Sequence, residues 1–300
     1  MRKFNIELND TGKDGDWYDF IQPPADNALS RQFRITFNSS ANYTEHLSFL
    51  DLAIYNLSAE SQIRQGSYVR LSAGYVDEFD SIFQGRITSV VTERDGANVV
   101  TRLLCMGELP RNRQRINRSY GAKTSIVQIL KDIAKHWGLA LQYDEAQFAG
   151  APVFIRGYSL NGDIPSVLSK LADQFDFSWA QVNQFLIIDV KGKEHRGKPR
   201  EISFKTGLIG VPEMSSDNTG FAVDLVVRLA PKIRLNTLIE LKNKYSSYNT
   251  GNMFVKGVSN HGNLNGIYSV VTISHEGDSW GERWQTKIKA LTVKVNNGNN

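Results

Sequence analysis

Cysteine is almost absent: Cys105 is the one example in 300 residues. No intrachain disulfide or thiolate metal cluster can form, and a reducing compartment suits the chain. Long apolar runs are missing too. Nowhere do about 18 apolar residues follow one another, which excludes a spanning helix. The opening MRKFNIELND meets Glu7 and Asp10 before any apolar stretch of signal-peptide length. No secretion signal and no membrane anchor are expected, so the Asn-X-Ser/Thr triplets at Asn38, Asn42, Asn56 and Asn117 carry no glycosylation meaning. Charge of one sign is also scarce. With 35 Lys and Arg against 31 Asp and Glu, the net charge of +4 is small and dispersed along the chain, too weak to imply a nucleic-acid binder. No Ser, Cys or Thr sits in a nucleophile elbow, and no Gly-rich phosphate loop follows a strand. His46, His136, His195, His261 and His275 are scattered, without metal-ligand spacing. Catalytic residues, metal and cofactor are therefore all expected to be absent, and the protein is not expected to be an enzyme.

What is present is strand grammar. Apolar residues make up 41% and charged residues 22%, an ordinary globular mixture with length for two or three domains. From Phe33 to Leu109 the runs RQFRITFNSS, LSFLDLAIYNLS, SYVRLSAGYV, SIFQGRITSVVTERDG and NVVTRLLCMG alternate apolar and polar residues and end in turn formers, predicting antiparallel hairpins. The period then changes. Ile126, Ile129, Leu130, Ile133, Ala134 and Trp137 form a helical stripe that Gly138 can stop, and Ile164, Val167, Leu168, Leu171, Ala172 and Phe175 repeat it 38 residues later. Each helix leads into an apolar strand, so the middle reads as a tandem α-then-β repeat. KGKEHRGKPR, residues 191–200, reads as a surface connection. β-pattern then returns from EISFKTGLIGVPE to ERWQTKIKALTVKV, interrupted by the Asn- and Gly-rich stretch between Tyr245 and Gly266, which predicts a long hairpin loop. The fold class expected is mainly β with an α+β insert: a first β-barrel domain with an N-terminal arm (1–110), the insert (111–198), a second β-barrel domain (199–295) and a disordered tail (296–300).

A short repeat relates the two β regions. Ile87-Thr-Ser-Val-Val-Thr92 and Ile267-Tyr-Ser-Val-Val-Thr272 agree at five of six positions, and each is preceded by Gly and followed by a polar turn and a returning strand. On that alignment HEGDSWGE fills the slot of ERDGAN and is a hairpin tip, with Gly277 and Gly281 free to take positive φ. A hydrolase or zinc reading of His275, Glu276 and their neighbours lacks a convergent second ligand. Trp280 and Trp284 are then expected to cover a barrel end or an interface.

Three other features stand out. Arg111, Arg113 and Arg115, with Arg118 beside them, alternate in RNRQRINR. They are candidate contacts to phosphate in a lumen, against the plainer reading of a solvated crossing that lacks interleaved aromatics. Asp77, Glu78 and Asp80, like Asp14 and Asp16, match no calcium loop and read as acidic turns. Cys105 reads as a small strand residue.

Gly210-Val211-Pro212, then Leu229 and Pro231, then Gly266, Tyr268 and Val270, then His275, Gly277 and Asp278 with Trp284, together resemble the C-terminal half of baseplate hub proteins of contractile-tailed bacteriophages. That family is related to the hub portion of type VI secretion spike proteins. IFQGRITSVVTERDG is similar to its N-terminal barrel. The resemblance implies two tail-tube-like antiparallel β-barrel domains per chain flanking the small α/β repeat domain. It implies a homotrimer whose pseudo-sixfold ring joins the hexameric tail tube to the trimeric central spike and lines the tail channel. It further implies a virion baseplate location after assembly in the host cytoplasm, contacts with tape measure and baseplate wedge proteins, and DNA only in transit. About fifteen residues follow Trp284, so spike and cell-wall hydrolase are expected to be other polypeptides. The alternatives are a carbohydrate-binding or cell-wall-degrading tail module using Trp280, Trp284 and His275, and the equivalent hub of a bacteriocin or type VI device.

Overall fold

The computed structural model of the chain describes residues 1–10, 16–21, 33–58, 63–107, 115–151, 153–190, 193, 195, 198–217, 220–244, 247–248 and 264–293. The expected tail, Arg111, Arg113, Asp14 and most of the Asn-rich stretch after Tyr245 lie outside the described residues.

The chain is mainly β. The first half supplies β1 (Arg2–Asn9), β2 (Tyr18–Ile21), β3 (Ile35–Asn42), β4 (Phe49–Tyr55), β5 (Tyr68–Tyr75), β6 (Phe79–Asp95) and β7 (Asn98–Met106). The middle supplies β8 (Arg115–Tyr120), β9 (Thr124–Ser125), α1 (Ile126–Trp137), β10 (Ala140–Gln142), β11 (Val153–Phe154), β12 (Tyr158–Asp163), α2 (Ile164–Phe175), β13 (Phe177–Val182) and β14 (Phe185–Val190). The last part supplies β15 (Arg200–Ser203), β16 (Leu208–Asp217), β17 (Gly220–Arg228), β18 (Leu238–Lys242), β19 (Ser247–Tyr248), β20 (Gly266–Asp278) and β21 (Trp284–Thr292).

The helices follow their stripes. All six expected residues of α1 are buried; Ser125 caps its start by accepting from the Gln128 amide, and Gly138, left-handed at φ 79°, ends it. In α2 the Asp163 side chain caps the start and Asp176 takes the left-handed position at the end. Ile164, Val167, Leu168 and Leu171 are buried, while Ala172 and Phe175 pack at the margin. Both stripes close one core with Phe177, Trp179, Leu186 and Ile188. At about 1.5–3 kcal/mol per buried large apolar side chain, this packing explains the stripes without a ligand.

Two further cores form, the second of which also takes in Ala180, Val182 and Ile187 of the insert. One gathers Phe4, Ile6, Leu52, Leu71, Phe83 and Ile87, and the other Ile202, Val223, Leu225, Ile239, Val270 and Ile288. Their strands run in the same order. Neighbour by neighbour, β3-β4-β7-β6-β5-β1 in the first half matches β16-β17-β21-β20-β18-β15 in the second, except that β1 lies antiparallel to β5 and β15 parallel to β18. The two sets are joined, because β20 also pairs with β3 and makes one continuous sheet.

The match holds residue by residue. A bulge leaves Thr88 out of the β6·β7 ladder and Val271 out of the β20·β21 ladder. Just before each bulge, the Ile87 amide donates to Ser67 and its carbonyl accepts from Gly66, while the Val270 amide donates to Thr237 and its carbonyl accepts from Asn236. Gly66 and Asn236 both take left-handed backbone, φ 95° and 62°, the region that Gly and Asn tolerate best. Ile87 therefore corresponds to Val270, and this corrects the sequence alignment. The ITSVVT/IYSVVT identity pairs Ile87 with Ile267, three positions away. An odd slip reverses the inward face, and accordingly Ile87 is fully buried whereas Ile267 is not. The duplication is present, but that run of β-formers misplaces its register.

Candidate interface between the two halves

The seam begins with backbone. Seven rungs join β3 to β20, from Thr36 opposite Asp278 to Asn42 opposite Thr272. Trp284, at the start of β21, is 3% exposed and belongs to the first half's core rather than its own. Its Nε1–H donates to the Gly74 carbonyl at 3.1 Å, and its ring meets Phe37 edge-on at 5.2 Å. Arg2 lies over the ring at 5.6 Å and donates to the carbonyls of Asp278, Gly281 and Glu282. Trp284 thus lies inside the chain, between its two halves. Trp280 is 64% exposed at the tip.

The tip itself differs from expectation. β20 continues through His-Glu-Gly to Asp278, and neither Gly277 nor Gly281 has positive φ. Space selects glycine instead. A Cβ on Gly277 would strike the Phe37 ring and Trp284, and one on Gly281 would strike the Asp278 carboxylate. Ile35 donates its amide to Ser279 Oγ at 2.9 Å, and Arg34 pairs with Asp278 at 2.9 Å. Burial works against the Asp278 charge, but Arg34 and the Trp280 and Gly281 amides hold its carboxyl below the usual range.

His275 is buried, with Nδ1 2.9 Å from Thr286 Oγ1, and that oxygen accepts from the Ala230 amide. Enclosed in this way, the ring stays neutral. Burial, reinforced by the nearby Arg234 charge, lowers its pKa to about 4. A group so enclosed reaches no substrate, and Glu276 is paired with Lys287. Of the residues in the carbohydrate-binding or cell-wall-degrading alternative, His275 and Trp284 are enclosed and Trp280 is exposed.

The acidic turn after β5 has a role that the sequence did not disclose. Asp77 pairs with Arg228 at 2.9 Å, Glu78 holds Arg200 through two bonds of 2.7 and 2.8 Å, and Asp80 pairs with Arg234 at 3.0 Å. Three acids of the first half thus meet three arginines of the second. The Arg200 fork, against the opposing cost of burial, holds Glu78 below the usual carboxylate range. Partners 151, 122 and 154 positions apart leave no local signal in the sequence.

The insert braces both halves. Asn183 donates to Ser81, Gln184 to Gln84, and Asn236 to the Ile188 carbonyl. His46 stacks on Trp179 at 4.2 Å while the Gln181 amide donates to the His46 carbonyl. His195, placed by sequence in a surface connection, is instead buried against Gln147 and Asp189. Gln147, in a single helical turn after β10, also donates to Asp189 and accepts from the Val190 amide. Burial raises the Asp189 carboxyl, although Gln147 and His195 oppose the shift. Arg115 opens β8 on an exposed face, with its carbonyl 2.7 Å from His136 Nε2, and Arg118 pairs with Asp132. Cys105 is buried, and burial pushes its thiol up, away from reactivity.

Among the described residues no group of three or more His, Cys, Asp or Glu could hold a metal, and no helix is long and apolar enough to cross a membrane. What converges here is adhesive: a shared sheet, one inserted indole and four ion pairs.

A family model described as baseplate hub gp41 matches residues 48–258. No curated protein matches the sequence. Among solved structures, the 43 kDa tail protein of prophage MuSo2 from Shewanella oneidensis is 10% identical, covering 97% of this chain and 98% of that one with TM-score 0.57. The tail protein from Neisseria meningitidis MC58 is 9% identical over 96% of each chain, TM-score 0.53. An E. coli component of the type VI secretion system, described as similar to T4 bacteriophage tail proteins, is 12% identical over 87% of this chain and 74% of that one, TM-score 0.50. At such identities the likeness is one of fold.

Proposed function

Because the chain belongs to the baseplate hub gp41 family, we propose that it is the structural hub of a contractile tail, three copies closing a pseudo-sixfold ring between the hexameric tail tube and the trimeric central spike. The observation that carries this reading is the pair of matched strand sets in one chain. A trimer in which each subunit offers two near-equivalent modules presents six similar surfaces, which is what a threefold-to-sixfold adaptor requires. The work is geometric rather than catalytic, and the ring wall lines the channel through which DNA passes.

The modules are the first tube-like β-barrel (1–110), the α+β insert (111–198) and the second barrel (199–295). Three hydrophobic clusters, each drawn largely from one of these segments, support that division. The insert, tied to both barrels through His46, Asn183 and Asn236, serves as a brace and faces the baseplate wedges; the tape measure protein meets the channel. Exposed Arg115 and Trp280 are the remaining candidates for lumen or partner contact. The same construction would serve a bacteriocin or type VI device, which neighbouring genes distinguish.

Light-scattering mass of the purified chain, alone and with its tube protein, tests the proposal. A species of three times the chain mass, seen as a pseudo-sixfold ring by electron microscopy, is expected. A chain that stays monomeric at high concentration and with the tube protein present overturns it.

A further inference from the structure

One junction of such a ring is visible within the chain, and the duplication shows where its counterpart lies. At the internal junction, β3 lies along residues 272–278 of β20. The equivalent of that stretch in the first half is residues 89–95 of β6: Ser89 faces Leu104 and Asp95 faces Asn98, as Thr272 faces Lys289 and the Asp278 amide meets the Arg283 carbonyl. β5 leaves β6 at Arg86, so this arm has β7 on one side and, among the described residues, no strand on the other. Burial records the missing neighbour. His275 and Gly277 are buried, whereas their equivalents Thr92 and Arg94 are exposed, and Val91 beside them is 46% exposed.

The equivalent of β3 is β16. Among the described residues, its edge opposite β17 is open except for a two-residue rung in which Ser247 and Tyr248 lie beside Glu213 and Met214. The Gly210-Val211-Pro212 motif forms a bulge on this edge, with Ile209 at 46% and Val211 at 47% exposure. Two open edges with exposed apolar residues, each the counterpart of a strand paired inside the chain, are complementary.

Resting on the ring reading, we propose that residues 89–95 of one copy pair antiparallel with residues 209–217 of the next copy, displacing the short β19 rung and continuing the sheet around the ring. The internal junction sets the register. Aligning β3 with β16 through β4 and β17 puts Asp95 opposite Ile209, Glu93 opposite Glu213 and Thr92 opposite Met214. The bulge, where Pro212 has no amide proton, interrupts the ladder at Arg94. Six junctions then alternate around the ring, three within chains and three between them, and head-to-tail association closes without a free edge. Glu93 facing Glu213 is the one unfavourable pair.

The test is cysteine pairing in the full-length chain under catalysed air oxidation, with Cys105 buried and silent. Asp95→Cys/Ile209→Cys and Thr92→Cys/Met214→Cys should give covalent dimers and trimers on a non-reducing gel. The mismatched Asp95→Cys/Met214→Cys, about three strand rises out of register, should give at least tenfold less. Independently, Glu93→Lys should lower the concentration needed for trimer about tenfold. A trimer by mass whose matched pairs cross-link no better than the mismatched one, or whose assembly is indifferent to Glu93→Lys, overturns the pairing while leaving the ring. Absence of any trimer overturns both.

Discussion

The β6–β7 and β20–β21 hairpins are the same object in two surroundings. Thr92 meets Thr101 at 3.4 Å where His275 meets Thr286 at 2.9 Å, and Val99 stands where Trp284 stands. The tips differ by two residues, Gly96-Ala97 in one and residues 279–282 in the other. One arm is exposed and lined by Thr, Glu and Arg; the other is enclosed and lined by His, Gly and Trp. The strand geometry is common property of the duplicated unit, and the side chains record what lies beside it. Where a neighbour is already in place within the chain, glycine makes room, an indole crosses the seam and an imidazole is kept neutral. Where no strand lies alongside among the described residues, the arm carries side chains that water solvates.

Substitutions at equivalent sites break that comparison apart. Trp284→Ala removes the indole shared with Phe37, Arg2 and Gly74 and should cost about 3–5 kcal/mol in denaturant unfolding, whereas Val99→Ala should cost under about 1.5 kcal/mol. Equal losses at the two positions would mean that Trp284 does not join the halves. His275 comes next. Its pKa of about 4 lies below the ordinary 6.5, so the unfolded chain takes up the proton first. Stability is full above pH 6.5 and falls as pH drops toward 4, by roughly 3 kcal/mol across that window. His275→Thr, which restores the first half's residue, should flatten this limb of a pH-dependent melting series. The depressed Asp278 and Glu78 carboxyls begin to lose their contribution as pH falls through their ordinary values of 3.8 and 4.5, at the bottom of that window, and the raised Asp189 acts in the opposite sense, so the His275 share is read as the difference between the two proteins. Gly277→Ala, pressed on Phe37 and Trp284, should destabilise by about 1–3 kcal/mol, while Arg94→Ala at the equivalent site should leave the melting temperature of the isolated chain unchanged. Smallest is the acidic turn. Glu78→Gln breaks a two-bond grip on Arg200 and should cost about 1 kcal/mol, whereas Asp77→Asn, fully exposed, should not shift the thermal midpoint.

Local periodicity made some of this legible. The α1 and α2 stripes, the Gly138 stop and the alternation of β3 announce themselves because each is written within about a dozen residues. The seam is not local. Arg200, Arg228 and Arg234 have nothing in their own neighbourhoods to mark them as partners of residues 77–80, and Trp284 is one aromatic residue among several. His195 misled because a charged surrounding sequence is no guide to a side chain that folds back on Gln147. The repeated ITSVVT misled because β-formers recur cheaply, whereas the true register is fixed by two bulges and two left-handed residues, one Gly and one Asn.

Composition and pattern by themselves determined that a single cysteine cannot close an intrachain disulfide, that the chain is mainly β, and that a two-helix segment divides two strand-rich parts, since these depend on residue type and period alone. Only the tertiary structure decided that the two parts share one sheet, which residues correspond, and which edge is left open. Those are relations between segments distant along the chain, and they are set by backbone pairing and by the space one side chain leaves for another.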